Sequence, residues 1–170
     1  MTNQSAAPAV LHVWAICLQA SEEARRRGDR RTGTDHVLLA LFEDPTIEAV
    51  LGVSLHQARQ ALDSLDREAL GTLGLGSGAD APALPMRAVP KKPTIRAVMK
   101  KDRLRMTPTA KKVLEEAVKP NRRKTQVTAQ QVLAQILTLQ PPDPAAVLLV
   151  ALGVNTSEAR RRLDAATPHS

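Results

Sequence analysis

The sequence predicts an all-α fold in which two pseudo-symmetric four-helix halves pack into one domain. Hydrophobic residues make up 43% of the chain, with one Trp, one Phe and no Tyr. Ala and Leu favour helices, as do the many Arg, Glu and Gln residues, whereas aromatic residues favour strands. The same order of helix signals also occurs twice, from about residue 9 to 70 and from about 106 to 166. An internal repeat of this kind indicates two copies of one structural unit.

Each half begins with an amphipathic helix, whose apolar residues recur at helical spacing. In the first half these are Val10, Val13, Trp14, Cys17 and Leu18; in the second they are Ala110, Val113, Leu114, Ala117 and Val118. A short basic turn follows in both halves, at residues 28–31 and 121–124. A second, more apolar helix is then predicted over 34–42 and over 129–137. Proline marks its end, at Pro45 and at residues 141–144.

The remaining part of each half contains a third and a fourth helix. Both third helices are predicted to end in the tripeptide Leu-Gly-Val, at residues 51–53 and 152–154. Glycine suits this position because a left-handed residue commonly follows the last turn of a helix. The fourth helices start with capping-box patterns, at residues 54–57 and 155–158. Their apolar stripes are Leu55, Ala58, Ala61, Leu62 and Leu65, and Ala159, Leu163 and Ala166.

These signals divide the chain into a tail (1–8), a first half (9–70), a linker (71–105) and a second half (106–167). The linker is long, basic and rich in Pro and Gly, so a continuous helix is not expected there. Because a unit of about 60 residues has a marginal core, we expect the halves to pack against each other.

Two motifs carry a resemblance to a known family. Met106 is followed by Thr-Pro-Thr-Ala-Lys-Lys-Val-Leu-Glu, and the first half contains Gly33-Thr34-Asp35-His36 before an apolar run. With Glu22-Glu23-Ala24-Arg25, these motifs resemble the double Clp-N repeat, the N-terminal domain of Clp-type unfoldase ATPases, and most closely the ClpC branch. The resemblance covers most of the chain outside the tail and the linker. It implies a protein-recognition module.

The sequence departs from that family in four ways. Met106 replaces an aromatic residue, Asp35 replaces glutamate, the linker is longer and more basic, and residues 129–131 read Ala-Gln-Gln instead of Thr-Glu-His. There is also no Gly-x-x-x-x-Gly-Lys-Ser/Thr P-loop. We therefore expect a stand-alone, non-enzymatic module without the ATPase and without a cofactor. It would act as an adaptor, a decoy or a sequestering protein of the Clp protease system.

The resemblance implies one ligand site at the start of the second helix, where ClpC-type domains bind phosphorylated arginine. Thr34 and Asp35 would form it in the first half, because a helix N-terminus attracts phosphate and a carboxylate pairs with guanidinium. The corresponding site at Gln130 is weakened by the loss of its acid. The alternative is that Thr34 caps the helix and Asp35 complements the helix dipole.

A second implied site is a groove between the first helices of the two halves. In ClpC-type domains this groove accepts adaptors and cyclic-peptide antibiotics. The matching residues here are Trp14, Cys17, Leu18, Ser21, Met106, Lys111, Glu115 and Val118. Trp14 is either an anchor for a partner or part of the core.

The formal charge of +7 leaves nucleic-acid binding as an alternative function. The absence of aromatic stacking platforms and of a recognisable base-reading helix makes it the less favoured one. His36 has no histidine, cysteine or carboxylate cluster at ligand spacing, so we expect a structural histidine and no metal site. Cys17 is expected to be an inert core thiol. Neither a signal peptide nor a membrane-spanning segment is recognisable, which favours a cytoplasmic protein.

Overall fold

The computed structural model describes residues 10–72, 105–121 and 126–166, and most of these residues are helical. The first half contains α1 (Val13–Arg27), α2 (Thr34–Leu41), α3 (Pro45–Leu51) and α4 (Leu55–Thr72). The second contains α5 (Pro108–Val118), a 3-10 turn (Lys119–Asn121), α6 (Ala129–Ile136), α7 (Pro144–Ala151) and α8 (Thr156–Ala166). The all-α prediction is confirmed. The predicted tail, nearly all of the predicted linker, most of the second basic turn and the last four residues lie outside the described residues.

The helix starts follow the local signals of the sequence. Proline occupies the first turn of α3, α5 and α7. The preceding residues Asp44, Thr107 and Asp143 each accept a backbone N–H with their side chain. The cap side chain accepts a backbone N–H of the first turn that would otherwise have no partner. Proline fits this turn because it lacks an N–H that would need one. The capping box of α4 is also present: Gln57 N–H donates to Ser54 Oγ, and Ser54 N–H donates to Gln57 Oε1.

The predicted glycine stops are confirmed as well. Gly52 has φ = 71° and Gly153 has φ = 67°, so both lie in the left-handed region. Gly28, which ends α1, has φ = 83°. A side chain would be strained at these positions.

In the described part of the chain, two short strands accompany the helices and join the two halves. β1 (Val10–His12) pairs antiparallel with β2 (Gln126–Thr128), so that Leu11 lies opposite Val127. The prediction that Val10 belongs to the first helix is wrong, because this residue lies in β1. A second backbone pairing joins Thr32 to Met106. Thr32 N–H donates to the Arg105 carbonyl and Thr107 N–H donates to the Thr32 carbonyl, both at 2.9 Å.

The helices of the two halves interlock. α2 packs against α1, α6 and α7, and α6 packs against α5, α2 and α3. The fourth helix of each half lies against the third helix of the other: α4 against α7, and α8 against α3. Buried residues of both halves form one continuous apolar core. Neither half could bury its third helix in this way alone.

The buried stripes agree with the predictions in α4, α5 and α8 but not in α1. Ala58 and Leu62, Val113 and Leu114, and Ala159 and Leu163 are buried, although Ala166 is exposed. The buried residues of α1 are Ile16, Cys17, Ala20, Ser21 and Ala24. Trp14 is instead 36% exposed and Leu18 is half-buried. The prediction that Trp14 and Leu18 belong to the buried face of α1 is therefore wrong: that face is rotated about the helix axis by part of a turn, toward Ile16 and Ala20.

Candidate functional site: the groove between α1 and α5

A groove of about 590 Å³ lies between α1 and α5. The Arg105–Met106 segment, tied to Thr32, brings Met106 to it. The residues that line the groove are Val13, Cys17, Arg105, Met106, Lys111, Leu114, Glu115, Glu116, Val118 and Lys119. Five of the eight predicted groove residues are among them: Cys17, Met106, Lys111, Glu115 and Val118.

The groove has an apolar floor and a charged rim. Cys17 and Leu114 are buried, and Met106 and Val118 are half-buried, which gives an apolar floor. Lys111 and Glu115 are exposed and form no ion pair with any other described residue. Lys119 pairs with Glu116 one turn away. An apolar floor with exposed charges beside it can bury a hydrophobic side chain and orient a charged one.

The other predicted groove residues do not line the cavity. Trp14 and Leu18 lie on α1 but outside the groove lining, and Ser21 is buried. The Ser21 hydroxyl donates to the Cys17 carbonyl at 2.8 Å and lies 3.4 Å from Thr32 Oγ1. Ser21 therefore supports the segment that holds Met106 without forming part of the groove surface. Burial raises the pKa of the Cys17 thiol, so the group is held protonated.

The start of α2 is buried, and its polar groups have partners inside the protein. Thr34 is 1% exposed, and its hydroxyl donates to Asp143 Oδ1 of the other half at 2.6 Å. Ala145 N–H, in the first turn of α7, donates to the same threonine oxygen at 3.3 Å. The prediction that Thr34 caps α2 is wrong, because the N-cap residue is Gly33. Thr34 instead links the start of α2 to the start of α7.

Asp35 and His36 complete this helix start. Asp35 is 8% exposed, and its Oδ1 lies 3.2 Å from His36 Nδ1. That ring nitrogen also accepts the Gly33 N–H at 3.0 Å, while Nε2 lies 2.9 Å from Asp29 Oδ2. Burial alone would raise the pKa of Asp35, but the hydrogen bond and charge of His36 outweigh it and hold this pKa below its ordinary value. A ligand could reach Asp35 only by displacing these contacts.

The corresponding position in the second half has a different set of partners. Gln130 is 5% exposed, and its Nε2 donates to Thr46 Oγ1 at 3.0 Å. The Thr46 hydroxyl donates in turn to Asp44 Oδ1 at 2.7 Å. Gln130 thus links α6 to the start of α3, as Thr34 links α2 to the start of α7. The sequence patterns did not indicate Asp143 or Asp44 as parts of these links, because the prolines beside them were interpreted only as the breaks that end the second helices.

Within the described ranges, no three His, Cys, Asp or Glu side chains come together as a potential metal site. None of the described helices is both long and apolar enough to cross a membrane.

No model of a known protein family matches the sequence, and no curated protein matches it significantly.

Proposed function

We propose that this chain is a non-enzymatic protein- or peptide-binding module of the Clp N-domain type, acting in the cytoplasm on the Clp protease system. In this role it would be an adaptor, a decoy or a sequestering protein. Its effect would come from occupancy, because the 170 residues contain no P-loop with which to bind and hydrolyse ATP. The observation that carries the proposal is the groove between α1 and α5, in which Cys17, Met106, Lys111, Glu115 and Val118 come together.

The packing of the two halves supports an internal duplication of the Clp-N kind. The exchange of third helices is reciprocal, with α4 on α7 and α8 on α3. The polar links are reciprocal as well: Thr34 reaches the start of α7, and Gln130 reaches the start of α3. A duplicated unit with a two-fold arrangement would produce both features. The Gly33-Thr34-Asp35-His36 motif lies at the start of α2, the second helix of its half, whereas the motif after Met106 leads into α5, the first helix of the other half.

The groove is a better candidate for the ligand site than the start of α2. Thr34 and Asp35 are buried and already have internal partners. Lys111 and Glu115 are exposed on the rim of the groove, next to Met106, whose flexible thioether can adapt to different apolar side chains. A peptide with one bulky apolar residue and a nearby charge would match this surface without any change in the core.

Affinity capture with the purified chain as bait tests the proposal. We expect the wild-type chain to retain Clp protease components, their adaptors or their substrates, and Met106→Glu to lose them, because a carboxylate would be placed on the apolar floor. Competition by an arginine-phosphorylated peptide would place the ligand site at Thr34 and Asp35 instead of the groove. Equal recovery by both baits would refute the groove assignment. Retention of nucleic acid alone, in a salt-sensitive manner, would refute the proposed function.

A further inference from the structure

Among the described helices, the starts of α2, α4 and α6 are closed by the same device, in which the side chain of the third helical residue accepts the N–H of the cap residue; glutamine provides it at α4 and α6, and histidine at α2. At α6, Gln131 Oε1 accepts the Thr128 N–H at 2.9 Å, three residues back. At α2, His36 Nδ1 accepts the Gly33 N–H at 3.0 Å, also three residues back. An amide does not titrate in the physiological range, whereas an imidazole does. Since glutamine performs the capping role at α6, histidine adds a property at α2 that capping does not require.

The two contacts of His36 Nδ1 are mutually exclusive, because each requires a different protonation state of this nitrogen. In the neutral ring, Nδ1 accepts the Gly33 N–H while Nε2–H donates to Asp29. Once Nδ1 carries a proton it can only donate, and its available acceptor is Asp35 Oδ1 at 3.2 Å. Protonation therefore exchanges the bond to Gly33 for an ion pair with Asp35.

Gly33 is directly joined to the segment that positions the groove. The preceding residue, Thr32, makes both backbone hydrogen bonds to the Arg105–Thr107 segment. The Thr32 side chain also lies 3.4 Å from Ser21 Oγ, which is bonded to the carbonyl of Cys17 in the groove. A change in the orientation of the Gly33 peptide can therefore reach Met106 through one covalent bond, to Thr32, and the two hydrogen bonds of Thr32 to the neighbours of Met106.

We propose that His36 is a proton-operated switch that couples the start of α2 to the position of Met106 in the groove. This inference goes beyond the proposed function, since it concerns the groove itself and not the identity of its ligand.

The carboxylates around His36 raise its pKa above the ordinary histidine value. Asp35 and Asp29 face the ring directly. Arg27 of α1 pairs with Asp29 and also with Asp63 and Asp66 of α4. Asp143, the cap residue of α7, faces the helix start through Thr34, and the remaining loop charges, Arg30 and Arg31, are exposed. Burial lowers the pKa of His36, but the carboxylates of Asp35 and Asp29 outweigh it and hold this pKa above its ordinary value.

The test uses the full chain, with the methionine methyl groups and histidine rings observed by NMR between about pH 5 and 9, a range that spans the ordinary histidine pKa. Loss of one resonance in Met106→Leu assigns the Met106 methyl group. We expect the Met106 methyl shift and the His36 ring shift to titrate with one common midpoint above the ordinary histidine value. In His36→Gln, which copies Gln131, the cap is kept and the methyl titration should disappear. His56→Gln is the matched control, because His56 is exposed on α4, and it should leave the methyl titration unchanged.

A second variant keeps the test decisive if His36→Gln does not fold. Asp29→Asn removes the exposed partner of the ring, so the common midpoint should fall in both signals together. A Met106 methyl shift that stays constant while His36 titrates would overturn the proposal. So would a methyl titration that persists in His36→Gln, or one whose midpoint does not follow that of the ring in Asp29→Asn.

Discussion

Replacing Thr34 with valine removes one hydroxyl from the contact between the two halves and leaves the volume almost unchanged. The Thr34 hydroxyl donates to the Asp143 carboxylate at 2.6 Å and is 1% exposed. A hydrogen bond to a charged group contributes about 1.5–3 kcal/mol. Asp143 is half-buried and still receives the Ala145 N–H at 3.0 Å, so its carboxylate can recover part of its solvation. We therefore expect Thr34→Val to lower the free energy of unfolding by about 1.5 kcal/mol, at the lower end of that range.

Thr46→Val is the matched variant in the other link between the halves. Valine at this position cannot accept the Gln130 amide, which is 5% exposed and would lose a partner inside the protein. It would also remove a bond to Asp44, whose Oδ2 is buried without a partner among the described residues. Because leaving a buried donor unsatisfied costs about 1–3 kcal/mol and the bond to Asp44 is lost as well, Thr46→Val should be the more destabilising of the two.

Urea unfolding followed by far-ultraviolet circular dichroism and by the emission of Trp14, the chain's only tryptophan, gives both free energies. An unchanged m-value would confirm that the two variants unfold from native states of similar compactness. A loss below about 0.5 kcal/mol for Thr34→Val would refute the hydrogen bond to Asp143, because a formed bond to a carboxylate contributes more than that. A Thr34→Val variant that is less stable than Thr46→Val would refute the claim that losing the partner of Gln130 and Asp44 costs more than losing the partner of Asp143.

Three further predictions concern the core, a helix end and the pH dependence. Leu133→Ala, at a fully buried position of α6, should cost about 2–5 kcal/mol, measured by thermal or urea unfolding; a cost near zero would contradict its place in the shared core. Gly28→Ala should cost about 1 kcal/mol because of the left-handed backbone, although nothing lies near the added methyl group; an unchanged unfolding midpoint would contradict this. The free energy of unfolding of the wild type, relative to His36→Gln, should fall as pH rises above about 6.5. The sign follows from the raised pKa of His36 in the folded state. The stability that protonated His36 contributes is complete below the ordinary histidine pKa and is lost as the pH rises through the folded-state pKa. A stability difference that grows with rising pH would contradict this prediction.

The parts of the fold that were predictable are those encoded by a few neighbouring residues. Thr107-Pro108, the glycines of the two Leu-Gly-Val tripeptides and the Ser54–Gln57 pair specify helix starts and ends through local hydrogen bonds and backbone angles. The buried face of α1 was not predictable in the same way, because this helix has apolar residues around most of its circumference. Periodicity alone could not favour Ile16 and Ala20 over Trp14 and Leu18.

The candidate site was predictable only in part, for a related reason. Lys111, Glu115 and Val118 of α5 were expected in the groove only from the resemblance to the Clp-N repeat, and all three line it. The partner of Thr34 lies 109 positions away in the sequence, and the exchange of α3 and α7 between the halves is a property of the tertiary packing. No local pattern indicates such a contact, which explains why only ligand binding and capping were considered for Thr34, and why no partner was expected for Asp143.

Fluorescence anisotropy of a labelled peptide, selected for binding to the wild-type chain from a random library, tests the groove assignment most directly. Lys111 and Lys112 are adjacent and exposed on α5, but only Lys111 lines the groove. Lys111→Glu should change the affinity at least tenfold, or about 1.4 kcal/mol, and Lys112→Glu should leave it within about twofold, as expected for an exposed charge outside the contact. Equal effects of the two substitutions, or binding that neither of them alters, would contradict the groove as the recognition surface of this protein.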